Sequence, residues 1–344
     1  MGDSAQAEHA YLRANLLGSS TSFRKATERL VRFSKCDAPV FIVGETGTGK
    51  ELAARAVHYL GARCDRAFVP VNCASLPDGL VESELFGHAR GAFTDARRAH
   101  AGLVRQADGG TLFLDEVEAL SPRAQATLLR FLQDCTYRAV GAEESQQANI
   151  RIIAASNLDL LDQVRTRAFR DDLLYRLDVL RVEMPPLRDR REDIELLAAH
   201  LLDKAARLAN HRPKRLTTQA LDALRAFAWP GNVRQFEHTL LRVHLLCESE
   251  EISHHDLLSC APELGAGGPD NAAPANRSLR EAKHQALDRV ERQYVAEVLS
   301  RTMGNISEAA RLCGMQRASF SKLVKKHRSA PHATDFGDGP SPLD

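Results

Sequence analysis

The stretch VFIVGETGTGKELAARAVHYL, residues 40–60, decides the fold. Four apolar, β-prone residues run into a loop holding Gly44, Gly47 and Gly49, and an apolar helical segment follows at once. Strand, glycine loop and helix in that order are the setting of a phosphate-binding loop. Its glycines let the backbone curl so that successive N–H groups face phosphate oxygens, and the helix N-terminus adds partial positive charge. Contacts are therefore expected from Gly44, Glu45, Thr46, Gly47, Thr48 and Gly49, with Lys50 reaching the β- and γ-phosphates. Glu51 stands where the general pattern has a Ser or Thr for Mg²⁺.

A second stretch, TLFLDEV at 111–117, is an apolar strand ending in two carboxylates. Two acids at the tip of a buried strand are costly unless charge is needed there. Asp115 suits a Mg²⁺ held through water, and Glu116 suits polarisation of an attacking water. With the loop, they point to hydrolysis of ATP. There is no GxSxG elbow and no Cys–His dyad for a second chemistry.

Outward from these motifs, β-rich runs at Val40–Val43, Phe68–Val71, Thr111–Leu114, Ile150–Ala154 and Val179–Met184 alternate with helical stretches. That alternation predicts an α/β fold, a parallel sheet with helices on both faces, over 17–185 after an N-terminal extension, 1–16. From Pro185 the β signal vanishes. Ile194, Leu197, Leu201 and Leu208, then Leu221, Leu224 and Phe227, then Val233, Phe236, Leu240 and Val243 recur at helical spacing, predicting an all-helical lid over 186–260 broken at Pro230-Gly231. Residues 261–277, rich in Ala, Gly, Pro and Asn, read as a flexible linker, and 329–344 as a disordered tail.

Between linker and tail, 278–328 reads as an all-α DNA-binding domain. A first amphipathic helix over 281–300 turns Val290, Tyr294, Val298 and Leu299 inward, and Asn305, three residues ahead of Glu308, starts a short helix ending at Gly314. MQRASFSKLVKKHR follows at 315–328, a helix-turn-helix pattern with Phe320, Leu323 and Val324 facing a small core. Six Lys or Arg and no acid lie between Ala309 and Arg328, although the whole chain is balanced at 46 basic against 45 acidic residues. Gln316, Arg317, Ser319 and Lys322 suit base edges, and Lys325, Lys326 and Arg328 suit phosphates. The 344 residues leave room for about two domains. Seven scattered Cys without zinc spacing, no signal segment and no membrane-length apolar run point to a reduced cytoplasmic protein with no membrane partner.

GETGTGKE, ELFGHARGAFTDA, GGTLFLDEV, FRDDLLYRL and WPGNVRQFE occur in that order. Together they resemble the AAA+ domain of sigma-54-dependent transcriptional activators, the bacterial enhancer-binding proteins, from about Leu17 to Leu258; NISEAARLCGM resembles their Fis-type DNA-binding domain. The resemblance makes Glu51 a family mark. It implies that Asn72 restrains Glu116, that Asn157 is the first sensor and Arg234 the second. Arg170 and Arg176 would be offered to the ATP of a neighbouring subunit, which implies a ring, a hexamer in the family. Fis-type domains dimerise, so a palindromic upstream site is implied.

Gly91, Ala92, Phe93, Thr94, Asp95 and Ala96 match the loop that contacts sigma-54, but the family motif has Gly where Asp95 stands. The resemblance implies remodelling of the sigma-54 RNA polymerase closed complex into an open one. Asp95 keeps an alternative open, a DNA-binding AAA+ regulator acting without sigma-54; a general remodelling ATPase tethered by its basic end is a further one. The short N-terminal extension predicts no attached receiver domain, hence control by a separate regulatory protein or by expression level.

Overall fold

The computed structural model describes residues 16–92 and 98–265, positions 291, 295, 298, 299 and 302, and residues 305–328, with backbone alone at 323 and 325–328. Two units are distinct, 1–271 and 272–344.

The larger unit is built on β1 (Val40–Val43), β2 (Phe68–Asn72), β3 (Thr111–Asp115), β4 (Arg151–Ser156) and β5 (Leu180–Glu183), all parallel, in the order β2-β3-β4-β1-β5. β1 and β4 are buried along their whole length, as strands covered on both faces must be, which explains the apolar runs of β1 and of residues 152–155 in β4. Pro70 cannot donate to a ladder, and it sits on the edge strand β2. The strands follow the predicted runs closely. β4 begins one residue later than expected and runs on to Ser156, because Ser156 pairs with Val43.

Successive side chains of β1 point to opposite faces. Val40 and Ile42 pack with Phe23, Leu30 and Val57 from α1 (Thr21–Ser34) and α2 (Lys50–Tyr59). Phe41 and Val43 pack with Leu128, Phe131 and Leu174 from α3 (Pro122–Asp134) and α4 (Asp171–Leu177). Ser121 caps α3 by accepting from the Ala124 N–H, with Pro122 in the first turn where its missing N–H costs nothing.

A helical lid follows, with α5 (Ile194–Ala209), α6 (Thr218–Ala226), α7 (Asn232–Leu246) and α8 (His254–Cys260). Its core gathers Leu197, Leu224, Trp229, Phe236 and Leu240, and the Trp229 indole N–H donates to Leu224 O at 2.8 Å. Two expectations are corrected. The lid is not purely helical, since Arg215–Leu216 pairs in parallel with Glu251–Ile252, a ladder too short to leave an alternating pattern. Leu208, although in phase with the buried stripe of α5, is 71% exposed.

The smaller unit contains α9 (Ile306–Leu312) and α10 (Arg317–Arg328), turning at Gly314 with φ 63°. Asn305 caps α9 by accepting from the N–H groups of Ser307 and Glu308. Val295, Val298, Ala309, Ala310, Phe320 and Val324 form its core. Val290, Tyr294, the Leu323 side chain, most of the linker and the tail lie outside the described residues. No helix among the described residues is long and apolar enough to cross a membrane.

Candidate functional site

Because the strands are parallel and in register, their carboxyl ends open on one edge of the sheet. Gly44 follows β1, Asp115 ends β3 with Glu116 next to it, and Asn157 follows β4. Chain direction alone therefore delivers the loop, the two acids and the Asn157 amide to one place. α7 of the lid brings Arg234 to the same cleft, which Thr46, Gly47, Gly49, Lys50, Glu51, Asp115, Glu116, Asn157 and Arg234 line together.

The loop takes the shape its glycines permit. Gly47 (φ 81°) and Gly49 (φ 99°) are left-handed, and a Cβ on Gly47 would lie 2.3 Å from Gly231 O. Lys50 folds back over the loop, donating to Gly44 O (2.8 Å), Glu45 O (3.2 Å) and Asn157 Oδ1 (2.5 Å). Burial pulls the Lys50 pKa down, and the Asp115, Glu118 and Glu116 carboxylates oppose that. Burial pushes Asp115 up, offset by the Lys50 charge and by the Glu116 N–H, which donates to Asp115 Oδ1 at 3.0 Å. Glu116 itself is left-handed, φ 55°, which turns the chain sharply after Asp115. Thr48 turns its hydroxyl to Glu45 O, and Glu51 pairs with Arg55 at 2.8 Å.

For Mg²⁺ the donors fit: a hard carboxylate oxygen at Asp115, beside space for phosphates. No group of three His, Cys, Asp or Glu side chains among the described residues could hold a metal alone. An ion here would depend on nucleotide oxygens.

Several functional residues escaped the sequence reading. Glu118 accepts the Asn157 N–H at 3.0 Å and so holds that stretch of backbone at the cleft; the acid spacing of DEVE was its only signal. Glu45 ties loop to lid. Arg188 grips its carboxylate at 2.6 and 2.8 Å, Asn232 Nδ2 donates to it at 3.1 Å and to Thr46 O at 3.0 Å, and the Val233 N–H reaches Gly47 O at 3.0 Å. The Arg188 guanidinium holds Glu45 below the usual carboxylate range. Asn232, wholly buried at φ 50°, also accepts the Leu187 N–H at 2.8 Å. An apolar pocket lined by Leu16, Leu17, Phe23, Leu52 and Val233 adjoins the cleft.

Other expected residues lie apart. Asn72 is the register partner of Asp115, but its amide oxygen accepts from Ala74 N–H rather than meeting Glu116. Arg170 and Arg176 are on the surface around α4, outside the cleft lining; Arg170 is held by Asp172 at 2.7 and 2.9 Å, and Arg176 reaches Gln133 O at 3.4 Å. Gly91 and Ala92 sit at the base of a loop pinned by His88, which bridges His100 and Val140. Phe93, Thr94, Asp95 and Ala96 lie outside the described residues. Gln316, Arg317, Ser319 and Lys322 are exposed; the side chains of Lys325, Lys326 and Arg328 are outside the description.

Parallel sheet, glycine loop, paired acids and helical lid define an AAA+ P-loop ATPase with an appended helix-turn-helix domain. Residues 16–183 match the Sigma-54 interaction domain, 188–272 the AAA+ ATPase lid domain and 286–327 the bacterial regulatory proteins of the Fis family. The response regulator protein PilR of Pseudomonas aeruginosa is 41% identical over 93% of this chain and 71% of its own length. The transcriptional regulatory protein ZraR of Salmonella typhimurium is 41% identical over 89% of this chain and 67% of its own. The phenol regulator MopR of Acinetobacter guillouiae is 40% identical over 93% of this chain, which spans only 58% of MopR. The crystal structure of NtrX from Brucella abortus in complex with ADP is 30% identical, covers 94% of this chain and 72% of that one, and superposes with a TM-score of 0.68. The chain belongs to the sigma-54-dependent transcriptional activators. The domain match spans residues 91–96, so the alternative of a regulator independent of sigma-54 is not favoured.

Proposed function

We propose that this chain binds upstream DNA and uses ATP hydrolysis to convert sigma-54 RNA polymerase from the closed to the open promoter complex. One observation carries the reading: Lys50, Asp115, Glu116, Asn157 and Arg234 line a single cleft between glycine loop and lid. ATP and ADP are the nucleotides, as the ADP and ATP complexes of NtrX support.

The N–H groups of 44–50 and the Lys50 ammonium bind the phosphates. Asp115 would hold Mg²⁺ through water, and a bound ion would supply neutralising charge to the phosphate oxygens. Glu116 polarises the attacking water, and Asn72, one strand away, restrains it in one nucleotide state. Asn157 and Arg234 report the γ-phosphate to sheet and lid. Arg170 and Arg176, exposed and off their own cleft, complete the site of the next protomer, where an arginine in trans neutralises charge on the transferring phosphoryl group. A head-to-tail contact that closes gives a ring, here a hexamer.

The loop at 91–96 is the sigma-54 contact, with the Asp95 charge modulating its strength. Gln316, Arg317, Ser319 and Lys322 read bases, and Lys325, Lys326 and Arg328 hold phosphates, from dimers on a palindromic site. The activator works in the cytoplasm. The units we assign are 17–185, 186–260 and 278–328.

The test is transcription from a sigma-54 promoter with purified components. Lys50→Ala and Glu116→Ala should abolish open-complex formation while leaving the upstream footprint intact. Melting by either variant at the parental level would refute the reading. Full ATPase activity without any melting would point instead to a regulator acting by another route.

A further inference from the structure

The apolar pocket beside the cleft has a cation, Arg190, in its wall. Arg190 is 3% exposed and lies over the Phe23 ring, 4.5 Å from its centre. Its side chain makes no hydrogen bond among the described residues, and its buried Nε lacks an acceptor. Burial pulls its pKa down to about 10, although Asp193 is near. That carboxylate is engaged elsewhere: it accepts from the N–H groups of Ser19 (2.6 Å) and Ser20 (2.8 Å) and from the Ser20 hydroxyl (2.8 Å), at the start of α1. Lys204 and Glu237, on the same wall, pair with each other at 2.6 Å. Buried guanidinium groups ordinarily carry hydrogen-bonded partners, because desolvation is otherwise uncompensated. A guanidinium in the lining of an apolar slot that shares Gly49, Leu52 and Val233 with the phosphate cleft suits a flat ring bearing acceptor nitrogens.

We propose that Arg190 is a specificity-determining residue that donates a hydrogen bond to a ring nitrogen of the purine base, with Phe23 supporting the guanidinium plane. The inference rests on the cleft being the ATP site and adds which group reads the base. Adenine offers N1, N3 and N7 as acceptors on different edges, so Arg190 fixes the base in one orientation. It acts on the base and not on the triphosphate.

The experiment compares ATP with 1-deaza-, 3-deaza- and 7-deaza-ATP as substrates of the full chain, its Arg190→Met variant and its Arg190→Lys variant. Inorganic tripolyphosphate serves as a competitor without a base. In the parent, one analogue should show a KM raised about tenfold, with kcat little changed, as loss of one charge-assisted hydrogen bond requires. Arg190→Met should raise the KM for ATP by a similar factor and no longer distinguish that analogue from ATP, while tripolyphosphate inhibits variant and parent alike. Arg190→Lys keeps the charge and guards against misfolding of the methionine variant; it should lose the same discrimination in part. The proposal fails if all three analogues match ATP in the parent, or if either variant weakens tripolyphosphate as much as ATP. Failure of tripolyphosphate to inhibit the parent would instead overturn the assignment of the cleft itself.

Discussion

Cys73 lies one residue beyond β2, 3% exposed, facing the field of three carboxylates. Burial, reinforced by Asp115, Glu118 and Glu116, pushes its thiol up to about 12, so it carries almost no thiolate at neutral pH. Cys36 and Cys64 are exposed. A thiol reagent at neutral pH should label Cys36 and Cys64 within the first phase, and Cys73 and Cys247 only after unfolding. Peptide mapping checks this, and early labelling of Cys73 would contradict its burial. Glu45 shows the opposite shift. Its pKa is depressed in the folded chain, so its bond to Arg188 stabilises the fold above the ordinary carboxylate range and is lost as pH falls through the lowered value. Glu45→Gln should therefore lower the midpoint of urea unfolding near neutrality, and parent and variant should converge in acid. Both partners are about 40% exposed, which keeps the effect small.

Among elements, α7 is the one on which the site depends most. Its first residue, Asn232, bonds Leu187, Glu45 and Thr46 at once from a buried left-handed position. Asn232→Ala leaves the Leu187 N–H and Thr46 O without the Asn232 side chain and should cost about 1–3 kcal/mol in urea unfolding. It should also raise the KM for ATP, since the lid keeps only the Arg188–Glu45 pair as a side-chain hold on the loop. Trp229→Ala, at the centre of the lid core, should cost about 3–5 kcal/mol. Neither role could be read from WPGN as letters. The sequence placed the five strands near their observed bounds because β-prone apolar residues cluster in each, and it placed Lys50 and Asp115 because glycine loops and terminal acids are local signals. Asn232, Glu118 and Arg190 act through partners 39 or more residues away or through burial, quantities that no local spacing encodes. Arg151 shows the same limit: a basic residue within the expected run 150–154, it is buried at the start of β4 and caps the end of α1 by donating to Phe33 O (2.6 Å) and Ser34 O (3.2 Å).

For the whole molecule, the location of Arg170 and Arg176 outside the cleft lining makes a prediction about assembly. If sites are completed in trans, Lys50→Ala chains keep good arginines and Arg170→Ala/Arg176→Ala chains keep good loops. Each alone should be inactive, and their mixture should regain ATPase activity, up to about a quarter of the parental rate for random placement in closed rings. No recovery on mixing, with assembly verified by sedimentation, would place the arginines in cis. The contact between Gly47 and the turn before α7 also sets how this engine tolerates change. Loop and lid meet there through main-chain atoms, the Val233 N–H on Gly47 O, with no room for a side chain between them. Sequence drift at neighbouring positions can retune grip and pace, but the linkage itself is written in the peptide backbone, so mutation can remove it only by filling the gap or rerouting the chain.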